Sequence, residues 1–258
     1  QLQQIADTFD EAADRARSFL ASNIAKTAED VVVFNTLDFE RSDVCCVEAA
    51  ALCSIHDETG RRLPSYKQGS KLHFIACNVP SKGWKRYRLG NQQSQSDPLF
   101  SWDEPKLETP CYEVVFAADG SLARLYDKMQ QREVLSEGER GNVFSLAVDL
   151  PKEYDAWNIG KQGAVMQYAL DSEVHYRVLS CSELGITLEA TWKWLKSTYC
   201  QQITFHAHSK RIDFNLHVDW HEDHLMLRTS FAVDVRSPRA SYDIAYGVCE
   251  RTTHANTS

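Results

Sequence analysis

The chain has 258 residues, 43% of them hydrophobic, and a formal net charge of −8. That length allows one large domain or two smaller ones with substantial cores. The acidic balance argues against a nucleic-acid-binding protein, because phosphate contacts need a basic face. The sequence contains no run of about 18 apolar residues, the length that a membrane-spanning helix needs. The first residues also show no signal-peptide pattern.

Eight cysteines are spread along the chain without a C-x-x-C pair, which excludes zinc-ribbon and dithiol redox motifs. Such usage in a chain of this length is not that of a disulfide-rich secreted scaffold. Most of the cysteines stand in apolar sequence, as Cys45 and Cys46 do in VCCV, which favours small buried thiols. The cysteines therefore indicate a reducing, cytoplasmic environment.

The first predicted element is an amphipathic helix over residues 1–25. Its apolar residues recur at the i, i+3, i+4 spacing of one helix face: Leu2, Ile5, Ala6, Phe9, Ala12, Ala13, Ala16, Phe19, Leu20 and Ile24. No Ser, Thr or Asp cap precedes the first turn. We therefore expect residues 1–27 to be the last helix of a truncated helical bundle, with its partner helices upstream.

From residue 31 the apolar period changes to two, which predicts strands. They are expected at residues 31–34, 44–47, 52–56, 72–78 and 84–89. This region, residues 28–90, is predicted to be a small β-sandwich whose own core is marginal at that size. The polar stretch NQQSQSD then marks a linker over residues 91–104.

A larger β domain is predicted over residues 105–258. Its first hairpin pairs residues 112–116 with residues 122–126 around the turn sequence Ala-Asp-Gly at 118–120. Further along, VDWHEDHL at residues 218–225 places two histidines among three acidic residues. This cluster invites comparison with a metal site.

Strand periodicity favours a different interpretation of VDWHEDHL. A two-residue turn at Ser209-Lys210 would set Phe205 opposite Phe214 and bury one apolar face. A four-residue loop at 221–224 would likewise set Trp220 opposite Leu225. The stretch is therefore predicted to be a hairpin loop, and HEDH also lacks the spacing of H-E-x-x-H.

The opposite face of these predicted strands carries His206, His208, His217 and Asp219. Alternate histidines on a strand face can bind zinc, but a closed site needs three or four converging ligands. A solvated polar face is the alternative that we favour. No metal site is therefore expected in this chain.

Short stretches along nearly the whole chain follow one order. They are VFNTL at 33–37, VP at 79–80, GWK at 83–85, YRL at 87–89, GSL at 120–122, YDK at 126–128, REVL at 132–135, YDAW at 154–157, RIDF at 211–214, VDWHE at 218–222, FAVDV at 231–235, YGVCERTTH at 246–254 and NTS at 256–258. Each match is short, but the ordered set is specific. It resembles the C-terminal region of glycoside hydrolase family 38 α-mannosidases.

The resemblance implies a retaining, zinc-dependent enzyme that hydrolyses terminal α-mannosides. In this family an N-terminal α/β domain supplies an Asp nucleophile, an acid/base carboxylate and most of a His and Asp zinc site. A further His ligand comes from the start of the helical bundle. None of these motifs is present here, so we expect no catalytic residue, with zinc bound only by the full-length parent.

The resemblance also implies a fold. It is mainly β, with a small β-sandwich followed by a galactose-mutarotase-like supersandwich, incomplete at its C-terminus, and one N-terminal helix left from the bundle. Alone, such a fragment is expected to be inactive. Within the parent it would buttress or line the active site of the missing N-terminal catalytic domain.

The resemblance places the loop at residues 154–157 near the substrate, which makes Tyr154, Asp155, Trp157 and Asn158 the candidate lining residues. A Tyr or Trp ring stacks on the apolar face of a pyranose, and a neighbouring Asp accepts hydroxyl hydrogen bonds. Family members usually have Asp where this chain has Asn158, which puts a charge-dependent role there in doubt. The alternative is that Tyr154 and Trp157 only pack a domain interface.

Arg251 and His254 are weaker candidates for contact with sugar, because charged residues at the end of a strand are usually just solvated. Two other functions stay open: a stand-alone carbohydrate-binding module, and a mutarotase-type epimerase with a Glu base and a His acid. His206, His208 or His217 could supply that acid. Expected partners are an α-mannoside and the missing catalytic domain, without nucleic acid or membrane, and a homo-oligomer stays open.

Overall fold

The computed structural model describes residues 2–25, 27–49, 53–92, 99–151, 153–154, 157, 165–166, 173–245 and 247–254. These residues form one helix, α1 (Leu2–Ile24), and twenty β-strands, which confirms the prediction of a mainly β protein. No helix among them combines the length and the apolarity that crossing a membrane requires. The supersandwich description of the larger domain stays a prediction.

The chain divides into two compact units. The first comprises Gln1–Ser101, Tyr176–Ala190 and Gln201–Leu216, and the second comprises Trp102–His175, Thr191–Cys200 and His217–Ser258. Each unit is therefore discontinuous in sequence. The predicted domain boundaries at residues 27, 90 and 104 stay predictions.

Helix α1 follows from its 3.6-residue apolar period. On its polar side Arg17 forms an ion pair with Asp14, three residues earlier. On its apolar side, however, Phe19 is 70% exposed and Leu20 is 48% exposed. Part of the apolar stripe is thus left facing solvent in this chain.

Six strands follow α1 in the first unit. They are β1 (Asp30–Asn35), β2 (Arg41–Glu48), β3 (Ser54–His56), β4 (Ser65–Gln68), β5 (Lys71–Val79) and β6 (Gly83–Gly90). They pair into two antiparallel three-stranded sheets, with the orders β1-β6-β3 and β2-β5-β4. The five predicted strands are all present, and β4 is an addition.

The two sheets share one apolar core. Phe74 on β5 meets Tyr87 on β6 edge to face, with ring centroids 5.3 Å apart, so side chains from opposite sheets interdigitate. At one end of the core the Asn35 amide donates hydrogen bonds to the carbonyls of Phe39, Val79 and Pro80. This buried side chain ties the β1–β2 connection to the end of β5.

Five short strands form the next sheet. They are β7 (Ser101–Asp103), β8 (Lys106–Glu108), β9 (Tyr112–Phe116), β10 (Leu122–Asp127) and β11 (Arg132–Glu133), in the order β11-β10-β9-β8-β7. The predicted hairpin is confirmed, because β9 pairs with β10 from Phe116↔Leu122 to Tyr112↔Asp127. Gly120 supplies the positive φ of 80° that the turn requires. Strand β7 falls inside the predicted linker.

The remaining strands are β12 (Val143–Val148), β13 (Val165–Met166), β14 (His175–Cys181), β15 (Gly185–Trp194), β16 (Ser197–His206), β17 (Ile212–Asp219), β18 (Leu225–Ser230), β19 (Arg239–Ile244) and β20 (Gly247–Thr252). They form sheets with the orders β13-β12-β18, β14-β15-β16-β17 and β19-β20. Along β15 and β16 burial alternates residue by residue. One face of this sheet is therefore apolar and the other polar.

The first predicted hairpin of the later region is present, with a longer loop than expected. Strand β16 neighbours β17 in the sheet, and Ile203, Phe205 and Ala207 are buried as the alternation predicts. Strand β16 ends at His206 and β17 begins at Ile212, so the connection has five residues rather than the two of a Ser209-Lys210 turn.

The second predicted hairpin is wrong. Strand β18 pairs with β12, which sets Leu225 opposite Val148 and Leu227 opposite Leu146, and β17 belongs to another sheet. The pairing of Trp220 with Leu225 therefore does not form. The partner strand β12 lies far upstream, so no local pattern around residues 218–225 could indicate this pairing.

A partly buried ion pair lies within the first unit. The Arg62 guanidinium donates to both carboxylate oxygens of Glu183, at 3.1 and 3.2 Å, and the backbone N–H of Ser65 donates to the same carboxylate at 3.2 Å. The Glu183 side chain is only 9% exposed. The turn between β14 and β15 is thereby fixed to the segment that leads into β4.

Candidate functional site

The loop after β12 presents two aromatic side chains to solvent. The backbone N–H of Asp149 donates to the carbonyl of His224 at 2.8 Å, which anchors the start of the loop. Further along, the backbone N–H of Trp157 donates to the carbonyl of Tyr154 at 2.7 Å. Tyr154 is 72% exposed and Trp157 is 88% exposed.

This hydrogen bond brings two of the four predicted loop residues together. Tyr154 has a φ of +55°, a left-handed conformation that is uncommon for a bulky residue and typical of turns and binding loops. Asp155 and Asn158 lie outside the described residues. The described part of the loop is thus a tight turn whose aromatic rings point away from any core.

Exposed aromatic rings on a turn suit carbohydrate binding. A ring face offers apolar area that matches the C–H side of a pyranose, and little conformational entropy is lost on contact. Leu150, nearer the start of the same loop, is 61% exposed. Exposed apolar side chains at such a loop are compatible with an interaction surface.

The weaker candidates lie on a separate two-stranded sheet. Arg251 is on β20, and its guanidinium carbon lies 5.7 Å from the centroid of the Tyr242 ring on β19. Both Arg251 and His254 are exposed. The cation–π contact gives Arg251 a local structural role.

The polar face of the β14–β17 sheet is held by ion pairs. His206 Nε2 lies 2.7 Å from the Asp213 carboxylate, and Arg211 Nε donates to the other oxygen at 2.6 Å. Burial alone would raise the pKa of Asp213, but the hydrogen bonds from His206 and Arg211 outweigh it and lower that pKa. The hydrogen bond to Asp213 raises the pKa of Arg211.

The positions of these polar residues are relevant to two alternatives raised by the sequence, a zinc site and an epimerase active site. Nowhere in the described part of the chain do three or more His, Cys, Asp or Glu side chains converge on a possible metal position. The sequence pattern puts no glutamate among these polar residues, yet Glu189 on β15 lies on this face. It accepts hydrogen bonds from Arg177 at 2.6 Å and Gln202 at 3.4 Å.

VDWHEDHL forms a connection between two sheets. Glu222 accepts hydrogen bonds from the backbone N–H of Lys196 at 2.7 Å and from the Ser197 hydroxyl at 2.9 Å. The Ser197 hydroxyl in turn accepts from the backbone N–H of His221 at 2.9 Å. The acidic residue therefore caps the β15–β16 turn, and the cluster is structural.

Known sequences share long stretches with this chain. Residues 107–258 match the family model described as the glycosyl hydrolases family 38 C-terminal domain. Alpha-mannosidase 2C1 is 32% identical over 240 residues in Mus musculus and 32% identical over 245 residues in Homo sapiens. Alpha-mannosidase G of Dictyostelium discoideum is 29% identical over 255 residues.

These alignments cover 88–90% of this chain but only 21–23% of the relatives, so the chain spans about a fifth of their length. The crystal structure of an alpha-mannosidase from Enterococcus faecalis V583 superposes with a TM-score of 0.65 at 13% identity. The superposition covers 88% of this chain and 34% of the Enterococcus faecalis chain. At this sequence identity the similarity shows the fold alone. The resemblance read from the ordered sequence stretches is confirmed, and the chain belongs to glycosyl hydrolase family 38, with residues 107–258 matching its C-terminal domain.

Proposed function

We propose that this chain is the C-terminal β portion of a retaining, zinc-dependent α-mannosidase that hydrolyses terminal α-mannosides. The nucleophile, the acid/base carboxylate and the zinc ligands belong to the N-terminal part of the parent enzyme. The chain itself is inactive, and it buttresses and lines the active site of that part. We also propose a cytoplasmic location, supported by the eight cysteines, all in the described residues, none of which forms a disulfide.

The exposure of Tyr154 and Trp157 carries the substrate-lining role. Burying a Trp ring that is 88% exposed here would remove a large apolar area from water. A surface that presents two such rings on one turn is expected to gain from contact with a sugar or with another domain. Sugar contact and interface packing predict different kinetics.

The first prediction concerns Trp157→Ala in the full-length enzyme. If the ring stacks on the bound mannoside, kcat/KM for an aryl α-mannoside falls about tenfold or more, which corresponds to about 1.4 kcal/mol. The melting temperature changes little, because the ring is outside any core. Steady-state kinetics and thermal unfolding measure the two quantities on the same preparation.

Phe39→Ala is the matched control, since Phe39 is 57% exposed in the first unit and should alter neither quantity. If Trp157→Ala leaves kcat and KM unchanged but lowers the melting temperature, the ring packs an interface. That result would end the sugar-contact proposal.

The second prediction concerns the chain by itself. With zinc added, it should hydrolyse an aryl α-mannoside no faster than buffer does, because it contains none of the expected catalytic groups. Hydrolysis well above that background would refute the proposed division of labour. Calorimetric titration with mannosides provides a further check, since millimolar or tighter binding by the isolated chain would favour a stand-alone binding module.

A further inference from the structure

A groove of about 440 Å³ lies in the second unit. Its walls come from all four strands of the β14-β15-β16-β17 sheet, through His175, Thr191, Lys193, Thr198, Cys200 and His217. The groove uses neither Tyr154 nor Trp157. It is therefore a feature that the proposed mannosidase function leaves unexplained.

The sheet order gives the groove its width. His175 is on the first strand of this sheet and His217 is on the last, so three strand spacings separate them. At about 4.8 Å per spacing, the strands that carry the two histidines are about 14 Å apart. That span and the volume suit a single sugar ring that carries a substituent.

The ionisable groups of the groove favour an anion. They are two imidazoles, one ammonium group and one thiol, and no lining residue in the described part of the chain is acidic. This composition contrasts with the net charge of −8 for the whole chain. Lys193 supplies the positive charge that phosphate and carboxylate groups recognise.

The opposite, buried face of the two central strands is packed with aromatic rings. Trp192 and Tyr199, which also line the groove, stack with ring centroids 5.3 Å apart and an interplanar angle of 6°. The Phe144 ring lies 5.3 Å from Trp192. Because Trp192 and Tyr199 are 6% and 2% exposed, their positions are fixed before a ligand arrives, which lowers the entropic cost of binding.

We propose that this groove binds a small sugar bearing a phosphate or a carboxylate. Lys193 holds the anionic group, and the His175 and His217 imidazoles contribute further donors. The hydroxyls of Thr191 and Thr198 face the sugar hydroxyls. The neutral sugar alone lacks the charged contact, and inorganic phosphate alone lacks the contacts to the ring.

Calorimetric titration of the full chain tests this proposal. Mannose 6-phosphate and glucuronate probe the phosphate and carboxylate sources, with mannose and inorganic phosphate as the neutral and sugar-free comparisons. At least one charged sugar should bind with a Kd in the millimolar range or below, and about tenfold tighter than both comparison ligands. Binding of the charged sugars no tighter than that of mannose overturns the proposal.

Variants separate the groove from other sites. Lys193→Gln should weaken binding of the charged sugar about tenfold, and Lys193→Arg should retain it because the charge is kept. Lys196→Gln removes the same charge from the neighbouring turn and should leave the affinity unchanged. Equal loss in Lys193→Gln and Lys196→Gln, or no loss in either, contradicts the assignment, whereas failure of the mannosidase prediction at Trp157 leaves it intact.

Discussion

At the residue scale, Asp213 shows how a residue set suited to a metal site becomes a structural ion pair. Its carboxylate accepts from His206 on β16 and from Arg211 in the preceding loop. The imidazole is thereby directed at a carboxylate beside the hairpin. A close anionic partner of this kind orients the histidine through a hydrogen bond, where the sequence pattern had favoured a solvated polar face.

The ion pair makes a pH-dependent contribution to stability. Because the pKa of Asp213 is lowered in the folded chain, its stabilising effect is present above the ordinary Asp value of about 3.9 and is lost as the pH falls through the lower folded value. Asp213→Asn should therefore lower the free energy of unfolding by about 1 kcal/mol at neutral pH. Urea unfolding at neutral pH and near pH 3 measures the difference, which should shrink in acid.

Asp219→Asn is the control on the same strand. Its carboxylate pairs with His221 at 3.1 Å, but the side chain is 66% exposed, so little stability should depend on it. An Asp213→Asn effect that persists unchanged in acid would show that packing, and not the charge, is responsible.

At the element scale, the connection between β17 and β18 depends on one acidic side chain. Glu222 accepts from the backbone of Lys196 and from the hydroxyl of Ser197, so it satisfies donors at a turn whose Leu195 has a φ of +54°. The chain then leaves one sheet and enters another. Glu222 therefore fixes the position at which the chain passes from the sheet of β17 to the sheet of β18.

Glu222→Ala should accordingly destabilise the chain by about 2 kcal/mol, because two hydrogen bonds to a charged acceptor are lost. The neighbouring substitution Asp223→Ala removes the same charge and should change stability by less than about 0.5 kcal/mol. The urea midpoint of each variant measures the effect. Equal midpoints for the two variants would show that net charge, and not the turn cap, matters.

Elements also show what the sequence could and could not predict. The β9–β10 hairpin was predictable because its turn chemistry is local: the Asp119 carboxylate accepts from the backbone of Ser121, and Gly120 takes the positive φ. The β18 pairing was not, because its partner β12 is distant in sequence. Strand β4 was missed since its exposed residues Lys67 and Gln68 give no apolar pattern.

The candidate site divides in the same way. The proposed substrate-lining role of Tyr154 and Trp157 came only from the resemblance to a family, since no periodicity singles them out. The groove could not be predicted, because His175 and His217 lie at opposite edges of a sheet whose strand order no local pattern reveals. Residues on different strands come together in the folded sheet, whereas a sequence pattern reports only the spacing of residues along one strand.

At the scale of the whole molecule, the exposed apolar stripe of α1 predicts that one substitution has different effects on the stability of this chain and of the full-length enzyme. Phe19 is 70% exposed, so Phe19→Asp should change the stability of this chain by less than about 0.5 kcal/mol. In the full-length protein, where partner helices are proposed, the same change should cost about 1.5 kcal/mol or more, because a buried apolar ring is lost. Thermal unfolding of both proteins compares the two.

Ser18→Asp introduces the same charge beside Phe19 at an exposed polar position, and it should be tolerated in both proteins. Equal tolerance of Phe19→Asp in the full-length protein would mean that α1 does not pack there through this stripe.

The Arg62–Glu183 pair has a practical consequence for dissecting the molecule. The family model begins at residue 107, yet residues 176–190 and 201–216 belong to the same unit as Gln1–Ser101. A shortened protein that starts at residue 107 would keep Glu183 but lose Arg62 and Ser65, which donate hydrogen bonds to its carboxylate. Residues 176–190 and 201–216 would also lose most of the unit in which they fold, so a protein cut at the start of the family match does not contain a complete folding unit.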